Sequence, residues 1–279
     1  MTIHYPITTE KYIRFLNHFQ TEKIFNIRNE ALTSFAIDDA IAETVGNHVA
    51  YPTIRMWVHE PTIVLGIPDS RLPYIEDGLS YIHQKGTNAV IRNSGGLAVF
   101  LDSGVLNMSM IIPNNRGVTI YNGYNMMYEF IKNLFKPYTD AIKAYEIVGS
   151  YCPGDYDLSI GGIKFAGISQ RRVRNGVAVQ IYMDIEGSSK KRAQFVKEFY
   201  NISKRNEVTN YIYPDIDPQV MGSISELLDV PFTISSIIEK IKSLLQTDYI
   251  INDDQLLLEE KHPFYKRLKQ MQKRNEQLR

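Results

Sequence analysis

Residues 149–167 read GSYCPGDYDLSIGGIKFAG, and they contain the only cysteine of the 279-residue chain, Cys152, together with Lys164. Gly161 and Gly162 predict a tight hairpin turn, because glycine accepts the positive φ angles that such turns require. Lys164 then lies just past the turn, on a strand paired with the segment that leaves Cys152. This pairing could bring the thiol and the ammonium together.

Cys152 has two interpretations. A lone cysteine is most often a small, buried and inert side chain. Cys152 is followed by Pro-Gly-Asp, however, which indicates a turn, and turns lie at surfaces and clefts. A thiol is only slightly ionised at neutral pH, and a nearby ammonium favours the nucleophilic thiolate. Lys164 is the candidate cation, and an ordinary exposed strand lysine is the alternative.

No histidine competes for the part of a base beside Cys152, because all six are distant from it in sequence. His59, in the run WVHEPTIVLG, is better explained as a structural residue. The spacing of the histidines matches no metal-binding motif, and one thiol cannot build a zinc site alone. The sequence therefore predicts no metal site.

The second candidate site is the glycine loop, residues 92–98, which reads RNSGGLA. Gly95 and Gly96 let the backbone approach a ligand closely or take a positive φ angle. Ser94 and nearby N–H groups could hold a carbonyl or phosphate oxygen, and Arg92 could supply a fixed positive charge. A simple tight turn between two strands is the alternative. The spacing matches neither a Walker loop nor the GxGxxG fingerprint.

The rest of the chain predicts a mixed α/β domain. Residues 31–46 have the spacing of an amphipathic helix that ends at Gly46, and residues 122–137 return to helical spacing before Pro137. Between them lie short apolar runs that are typical of strands: TIRMWVH, TIVLG, NAVIRNSGG, LAVFLD and VLNMSMIIP. From about residue 188 the pattern is mostly helical.

Two strand features allow more detailed predictions. Met108, Met110 and Ile112 alternate with polar residues, which predicts a strand that is buried on one face only. Asn175-Gly176 is a strong signal for a type I′ turn that joins two strands.

We expect one domain over residues 1–279, in which residues 30–250 form the catalytic unit. Its helical part begins at about residue 188. Residues 251–279 are a charged C-terminal extension, whose last part, KRLKQMQKRNEQLR (266–279), we expect to be a peripheral helix or a frayed tail.

Composition excludes several functional classes. The formal net charge is zero and the charged fraction is 22%, so neither nucleic acid nor an acidic solvating tail is indicated. The absence of a signal segment, of a long apolar run and of a cysteine pair favours a soluble protein of the cytoplasm, with no membrane partner. Two basic clusters, at residues 171–174 and 190–192, are either solvated edges or a docking surface for an acidic protein.

The order of these motifs resembles the biotin/lipoate protein ligase and transferase superfamily. The run RNSGGLAVFLD (92–102) resembles its R-x-x-GG-x-A-V-x-H-D motif, which forms a lipoyl pocket. The run GDYDLSIGGIKFAGISQRR (154–172) resembles its N/G-D-L…G-x-K-x-x-G motif, whose lysine faces the reacting carbonyl. The resemblance covers roughly residues 30–250. It implies an α+β fold with mixed, mostly antiparallel sheets flanked by helices. Asp102 stands one position away from the superfamily's usual His-Asp pair, so no role is assigned to it.

Cys152, directly upstream of the second motif, is similar to the nucleophile of the cysteine octanoyltransferases, and the ATP-dependent ligases need no such residue. Within that group, the chain most resembles the octanoyl-[GcvH]:protein N-octanoyltransferase family. This resemblance implies transfer of octanoyl from the glycine cleavage H protein to lysines of lipoyl domains, through a thioester on Cys152. It implies no cofactor.

The resemblance also implies roles for individual residues. Cys152 would be the nucleophile and Lys164 the group that activates it. The substrate-binding residues would be Arg92 at the edge of an acyl pocket, with Ser94, Gly95, Gly96, Gly161 and Gly167. Val99, Leu101, Met108 and Met110 would line the apolar slot for the eight-carbon chain.

Three other functions stay open. The first is the sister reaction, in which acyl carrier protein donates the octanoyl group. The second is an ATP-dependent lipoate ligase. The third is a module that binds lipoyl domains without catalysis.

Overall fold

The computed structural model describes residues 6–114, 118–253 and 255–278. The strands, in chain order, are β1 (Tyr12–Asn17), β2 (Lys23–Ile24), β3 (Ile27–Arg28), β4 (Thr53–Trp57), β5 (Thr62–Leu65), β6 (Asn88–Ile91), β7 (Val99–Leu101), β8 (Val105–Pro113), β9 (Ile142–Ala144), β10 (Asp157–Ile160), β11 (Ile163–Val173), β12 (Gly176–Asp184) and β13 (Ile250–Asp253).

The α-helices are α1 (Ala31–Gly46), α2 (Ile75–Gln84), α3 (Ile120–Phe135), α4 (Ser189–Lys204), α5 (Ile224–Leu228), α6 (Ile234–Leu245) and α7 (Leu258–Asn275). Short 3₁₀ turns lie at Asp69–Arg71, Pro218–Val220 and Glu276–Leu278. No helix in these described ranges is long and apolar enough to cross a lipid bilayer.

Two sheets organise the molecule. The main sheet has eight strands in the order β13-β1-β4-β8-β12-β11-β10-β9. Its pairs β13–β1 and β1–β4 are parallel, and its other neighbours are antiparallel. Strands β6, β5 and β7 form a smaller mixed sheet, and β2 pairs with β3. The predicted α+β fold with mixed, mostly antiparallel sheets is confirmed.

Helices cover the sheets on both sides. Helix α1 packs on β8 and β12 and is covered in turn by α7. Helices α3 and α6 pack on the opposite face of the main sheet. Helices α2 and α4 share a hydrophobic core with the smaller sheet. Val105 and Tyr182 of the main sheet also enter this second core, which joins the two sheets.

Strand β8 is buried on both faces, so the prediction of a half-buried strand is wrong. Met108 and Met110 pack in the core with α3. Ser109 lies on the other face, under α1, and its Oγ donates to Asp38 Oδ2 at 2.5 Å. Ser109 therefore belongs to a buried polar network rather than to a solvent-exposed face.

The hairpin between β11 and β12 turns one residue earlier than predicted. Its loop consists of Arg174 and Asn175, and Arg174 takes the positive φ angle of 55°. Gly176 is required for another reason, because a Cβ there would lie 1.8 Å from the carbonyl oxygen of Ala42 in α1. The glycine lets helix and strand pack closely.

The C-terminal segment is neither peripheral nor frayed within the described residues. Helix α7 buries Phe264, Leu268 and Met271 against α1. Its buried Glu260 accepts a 2.7 Å hydrogen bond from Arg14 Nη2. Strand β13, just before α7, extends the main sheet beside β1. These residues are part of the fold, although the bounds of the catalytic unit stay a prediction.

Candidate active site

A cavity of about 300 Å³ lies where the two sheets meet. Strands β5 and β7 supply one side, and β8, β11 and β12 supply the other. A concave, mainly apolar cavity with a few polar groups is the usual form of a small-molecule site. Its apolar wall is formed by Phe35, Trp57, Val64, Val99 and Leu101.

Most of the residues proposed from the sequence meet at this cavity. The lining includes Arg92, Ser94, Gly95, Gly96, Cys152 and Gly167. Val99 and Leu101 line it as expected. Met108 and Met110 do not, because they point to the opposite face of β8.

The thiol of Cys152 faces two hydrogen-bond donors of the glycine loop. Its Sγ lies 3.2 Å from Arg92 Nη2 and 3.2 Å from the backbone nitrogen of Leu97. The side chain is half-buried. A guanidinium and an N–H group at the sulfur stabilise negative charge there, because hydrogen bonds to ionised acceptors are the stronger ones. The geometry suits a nucleophilic thiolate at the cavity wall.

Arg92, which the resemblance placed at the edge of the acyl pocket, lines the cavity and contacts the sulfur of Cys152, and its side chain is buried. The same Nη2 atom donates to the carbonyl oxygen of Leu97 at 2.6 Å. Arg92 therefore links the glycine loop to Cys152.

Gly96 makes this close approach possible. It takes a φ angle of 101°, and a Cβ at this position would lie 2.2 Å from Arg92 Nη2 and 2.9 Å from Cys152 Sγ. A Cβ at the neighbouring Gly95 would meet no atom within 4 Å. Of the two glycines, only Gly96 is required by the packing around the sulfur.

Lys164 holds the backbone of the cysteine turn. Its Nζ donates to the carbonyl oxygens of Tyr151 and Cys152 at 2.9 and 3.1 Å and to Ser150 Oγ at 3.2 Å. It also pairs with Asp157 Oδ1 at 2.8 Å. Lys164 is fully buried and does not line the cavity. The ammonium thus contacts the carbonyl of the cysteine, whereas the sulfur has other partners.

Cys152 itself has a φ angle of 45°, in the left-handed region that residues other than glycine rarely adopt. Two carbonyl oxygens that converge on one ammonium hold the turn in this conformation. Burial raises the pKa of Asp157, and the ion pair with Lys164 opposes that rise. Lys164 and Asp157 therefore form a buried pair whose members depend on each other.

The two remaining predicted glycines differ in their roles. Gly167 lines the cavity on β11, where a Cβ would lie 2.8 Å from Cε1 of Tyr182. Gly161 does not line the cavity. Gly161 and Gly162 have φ angles of 60° and 82° and form the predicted hairpin turn between β10 and β11.

The basic clusters do not form one free surface. Arg171 makes a bidentate pair with Asp39, and Arg192 makes one with Asp102. Arg192 is buried. Two of the positive charges proposed for a surface that docks an acidic protein are therefore already paired within the protein.

A buried polar network that no sequence motif predicts lies beside the cavity. Asp38 in α1 pairs with Arg55 Nη1 at 2.8 Å and accepts from Nε2 of the cavity residue Gln180 at 2.6 Å. The guanidinium of Arg55 lies 4.2 Å from the ring centre of Trp57. The sequence contains one sign of this network: Asp38 and Asp39 interrupt the otherwise apolar helical segment AIDDAIAE (36–43).

Two buried histidines are structural. Burial, together with the charge of Arg55, lowers the pKa of His18 to about 2 and that of His59 to about 3, so both are neutral. Within the part of the chain that the structure describes, no group of His, Cys, Asp or Glu side chains is arranged to hold a metal ion. His4 lies outside the described residues.

Comparison with known proteins gives a consistent result. Residues 30–246 match the profile of the lipoyl protein ligase A/B catalytic domain. The chain is 54% identical to an octanoyl-[GcvH]:protein N-octanoyltransferase of Oceanobacillus iheyensis, over 94% of this chain and 95% of the relative. It is 47% identical to a lipoyl-[GcvH]:protein N-lipoyltransferase of Listeria monocytogenes, over 82% of this chain and 81% of the relative.

Solved structures show the same fold at low identity. Protein Ta0514 of T. acidophilum, solved with bound lipoic acid, superposes with a TM-score of 0.67 at 15% identity, over 92% of this chain and 95% of Ta0514. A lipoate-protein ligase A bound with ATP also has a TM-score of 0.67 at 15% identity, over 93% of this chain and 94% of the ligase.

Proposed function

The chain belongs to the lipoyl protein ligase A/B catalytic domain family and is an acyltransferase, and from this premise we propose that it transfers octanoyl from the glycine cleavage H protein to lysines of lipoyl domains. The observation that carries the proposal is the sulfur of Cys152, which borders an apolar cavity and faces Arg92 and the Leu97 N–H group. The names of the relatives support the H protein as donor.

In the first half-reaction, the thiolate of Cys152 attacks the carbonyl of the octanoyl-lysine amide. The C–S bond forms and negative charge develops on the carbonyl oxygen, where N–H groups of the glycine loop are candidate donors. The C–N bond then breaks. The donor lysine leaves as an amine. It takes up one proton, which balances the proton that Cys152 released when its thiol ionised.

In the second half-reaction, the amine of an acceptor lysine attacks the thioester. A new amide C–N bond forms, the C–S bond breaks, and the proton lost by the amine returns to the sulfur. One amide is exchanged for another, so the reaction needs no ATP. The octanoyl chain would lie against the apolar wall formed by Phe35, Val99 and Leu101, which would keep water from the thioester.

The test is mass spectrometry of the intact protein after mixing with octanoylated H protein in the absence of ATP. We expect one octanoyl adduct that hydroxylamine removes and that Cys152→Ala lacks. Addition of an apo-lipoyl domain should then discharge the adduct and octanoylate the domain. Normal transfer by Cys152→Ala would contradict the proposal.

The same assay separates the alternatives. An adduct formed from octanoyl acyl carrier protein, and not from the H protein, would identify the sister reaction. Octanoylation of the lipoyl domain that requires ATP would identify a ligase. Binding of the lipoyl domain with no adduct from either donor would identify a non-catalytic module.

A further inference from the structure

A buried tyrosine supports the glycine loop from behind. Tyr200, on α4, accepts a 3.1 Å hydrogen bond from the backbone nitrogen of Ala98 and donates to Asp69 Oδ1 at 2.9 Å. The other carboxylate oxygen of Asp69 accepts from the backbone nitrogen of Gly66 at 2.7 Å. Tyr200 and Asp69 are buried and neither lines the cavity.

The peptide group that Tyr200 holds is also held by Arg92. The carbonyl of Leu97 and the N–H of Ala98 belong to one planar peptide. Arg92 Nη2 donates to that carbonyl at 2.6 Å, while Tyr200 accepts from that N–H. The plane is thus fixed at both ends. The Arg92 nitrogen that this carbonyl holds is also the one that lies 3.2 Å from Cys152 Sγ.

The loop that carries Asp69 leaves the glycine loop no room to move back. A Cβ at Gly66 would lie 2.0 Å from the carbonyl oxygen of Gly96, so the two backbones are in direct contact.

Burial raises the pKa of Asp69 to about 6. Each of its two carboxyl oxygens accepts one hydrogen bond, from the Gly66 N–H and from the Tyr200 hydroxyl.

We propose that Tyr200 and Asp69 are positioning residues, which orient the Leu97–Ala98 peptide so that Arg92 and the Leu97 N–H group meet the sulfur of Cys152. This inference rests on the proposed function for its effect on acyl transfer. Its effect on the thiol can be measured without any acyl donor.

The test compares Tyr200→Phe with Tyr213→Phe. Tyr213 is the control, because its ring lies 5.5 Å from that of Tyr200, while its hydroxyl donates to the carbonyl of Pro68 at 2.7 Å and makes no hydrogen bond to the glycine loop among the described residues. Each variant loses one hydroxyl; Tyr200→Phe thereby loses two hydrogen bonds and Tyr213→Phe loses one. Urea unfolding measures the loss of stability common to both.

The first readout is the ratio of the alkylation rates of Cys152 by iodoacetate and by iodoacetamide. A guanidinium at the sulfur attracts the anionic iodoacetate and raises its alkylation rate relative to that of the neutral iodoacetamide. We therefore expect the wild-type protein and Tyr213→Phe to prefer iodoacetate. Tyr200→Phe should lose that preference. The second readout is the rate of octanoyl-enzyme formation. It should fall about tenfold in Tyr200→Phe alone, which is the order expected for one hydrogen bond.

Asp69→Asn keeps the test decisive if Tyr200→Phe does not fold. An amide offers one acceptor oxygen where the carboxylate offers two, so the Gly66 N–H and the Tyr200 hydroxyl can no longer each donate to an oxygen of their own. We expect the iodoacetate preference to fall here as well. The proposal is overturned if the folded variants keep the wild-type ratio, or if the wild-type protein shows no preference. Failure to form an octanoyl adduct, with the ratios as expected, would instead overturn only the proposed function.

Discussion

Lys164 and Cys152 meet through the backbone, since Lys164 Nζ lies 3.1 Å from the carbonyl oxygen of Cys152 while the sulfur faces Arg92 and the Leu97 N–H group. The two cationic side chains, Lys164 and Arg92, therefore contact different parts of Cys152. Lys164 fixes the strained turn that presents the cysteine, and Arg92 supplies positive charge at the sulfur. Substitution of Lys164 should thus change the conformation of the turn and the stability of the fold before it changes the charge at the thiol.

We predict that Lys164→Met lowers the free energy of unfolding by about 3 kcal/mol, because removal of one partner leaves a buried charge unpaired. The partner left behind is Asp157. The double variant Lys164→Met/Asp157→Asn should recover part of that loss, since it removes the orphaned charge. Urea unfolding of both variants checks this. Equal stability of Lys164→Met and the wild-type protein would show that the pair is not what holds the turn.

Gly96 and Gly95 provide a second test within the glycine loop. Gly96→Ala places a methyl group against Arg92 Nη2 and Cys152 Sγ and also strains a φ angle of 101°. We predict that it slows alkylation of Cys152 by iodoacetate at least tenfold, because the guanidinium is displaced from the sulfur. Gly95→Ala meets open space and should alkylate at the wild-type rate. Similar rates for the two variants would contradict the steric argument.

The sequence predicted the parts of this molecule that depend on local patterns. The helix at residues 31–46, the strand runs and the Gly161-Gly162 turn follow from periodicity and from the conformational range of glycine. Cys152 and the glycine loop could be singled out for the same reason, because each is a local feature.

What the sequence did not reveal depends on contacts between distant residues. The thiol partner Arg92 lies 60 positions from Cys152, and the support for its loop comes from Tyr200, 102 positions from Ala98. No sequence motif links residues at either of these separations, so neither contact could be predicted from the sequence. The polar face of β8 was misjudged because only the packing of α1 shows that Ser109 is buried.

The C-terminal helix gives a third prediction. The side chain of Asn275 accepts from Ile91 N at 2.7 Å and donates to Ile91 O at 3.1 Å, so it takes the place of a neighbouring strand at the open edge of β6. Arg92 directly follows Ile91 in the sequence, at the end of β6. We predict that Asn275→Ala costs about 1–3 kcal/mol of stability, because two buried backbone groups lose their partner. It should also reduce the iodoacetate preference of Cys152.

The matched control on the same helix is Gln272→Ala, which alters an exposed side chain. It should change neither the free energy of unfolding nor the alkylation ratio. If Asn275→Ala loses stability and yet keeps the wild-type ratio, the helix end supports β6 without influencing Arg92.

The last prediction concerns pH and His18. Burial, and then the charges of Arg55 and Arg14, lower the pKa of His18 from its ordinary value of 6.5 to about 2, and its Nδ1 accepts from Arg55 Nε at 2.9 Å. The folded protein keeps this histidine neutral, whereas the unfolded chain takes up a proton as the pH falls through 6.5. Acid therefore favours unfolding through this group, by about 1.3 kcal/mol between pH 7.5 and pH 5.5.

His59 acts in the same direction, whereas Asp69 and Asp184, whose pKa values burial raises to about 6, act in the opposite one. A comparison of wild-type protein with His18→Asn isolates the single contribution. The amide oxygen can still accept from Arg55, and asparagine does not titrate in this range. The difference in unfolding free energy between pH 7.5 and pH 5.5 should shift by about 1.3 kcal/mol in favour of the variant at the lower pH. An unchanged difference, measured by urea unfolding at both pH values, would mean that His18 is protonated in the folded state.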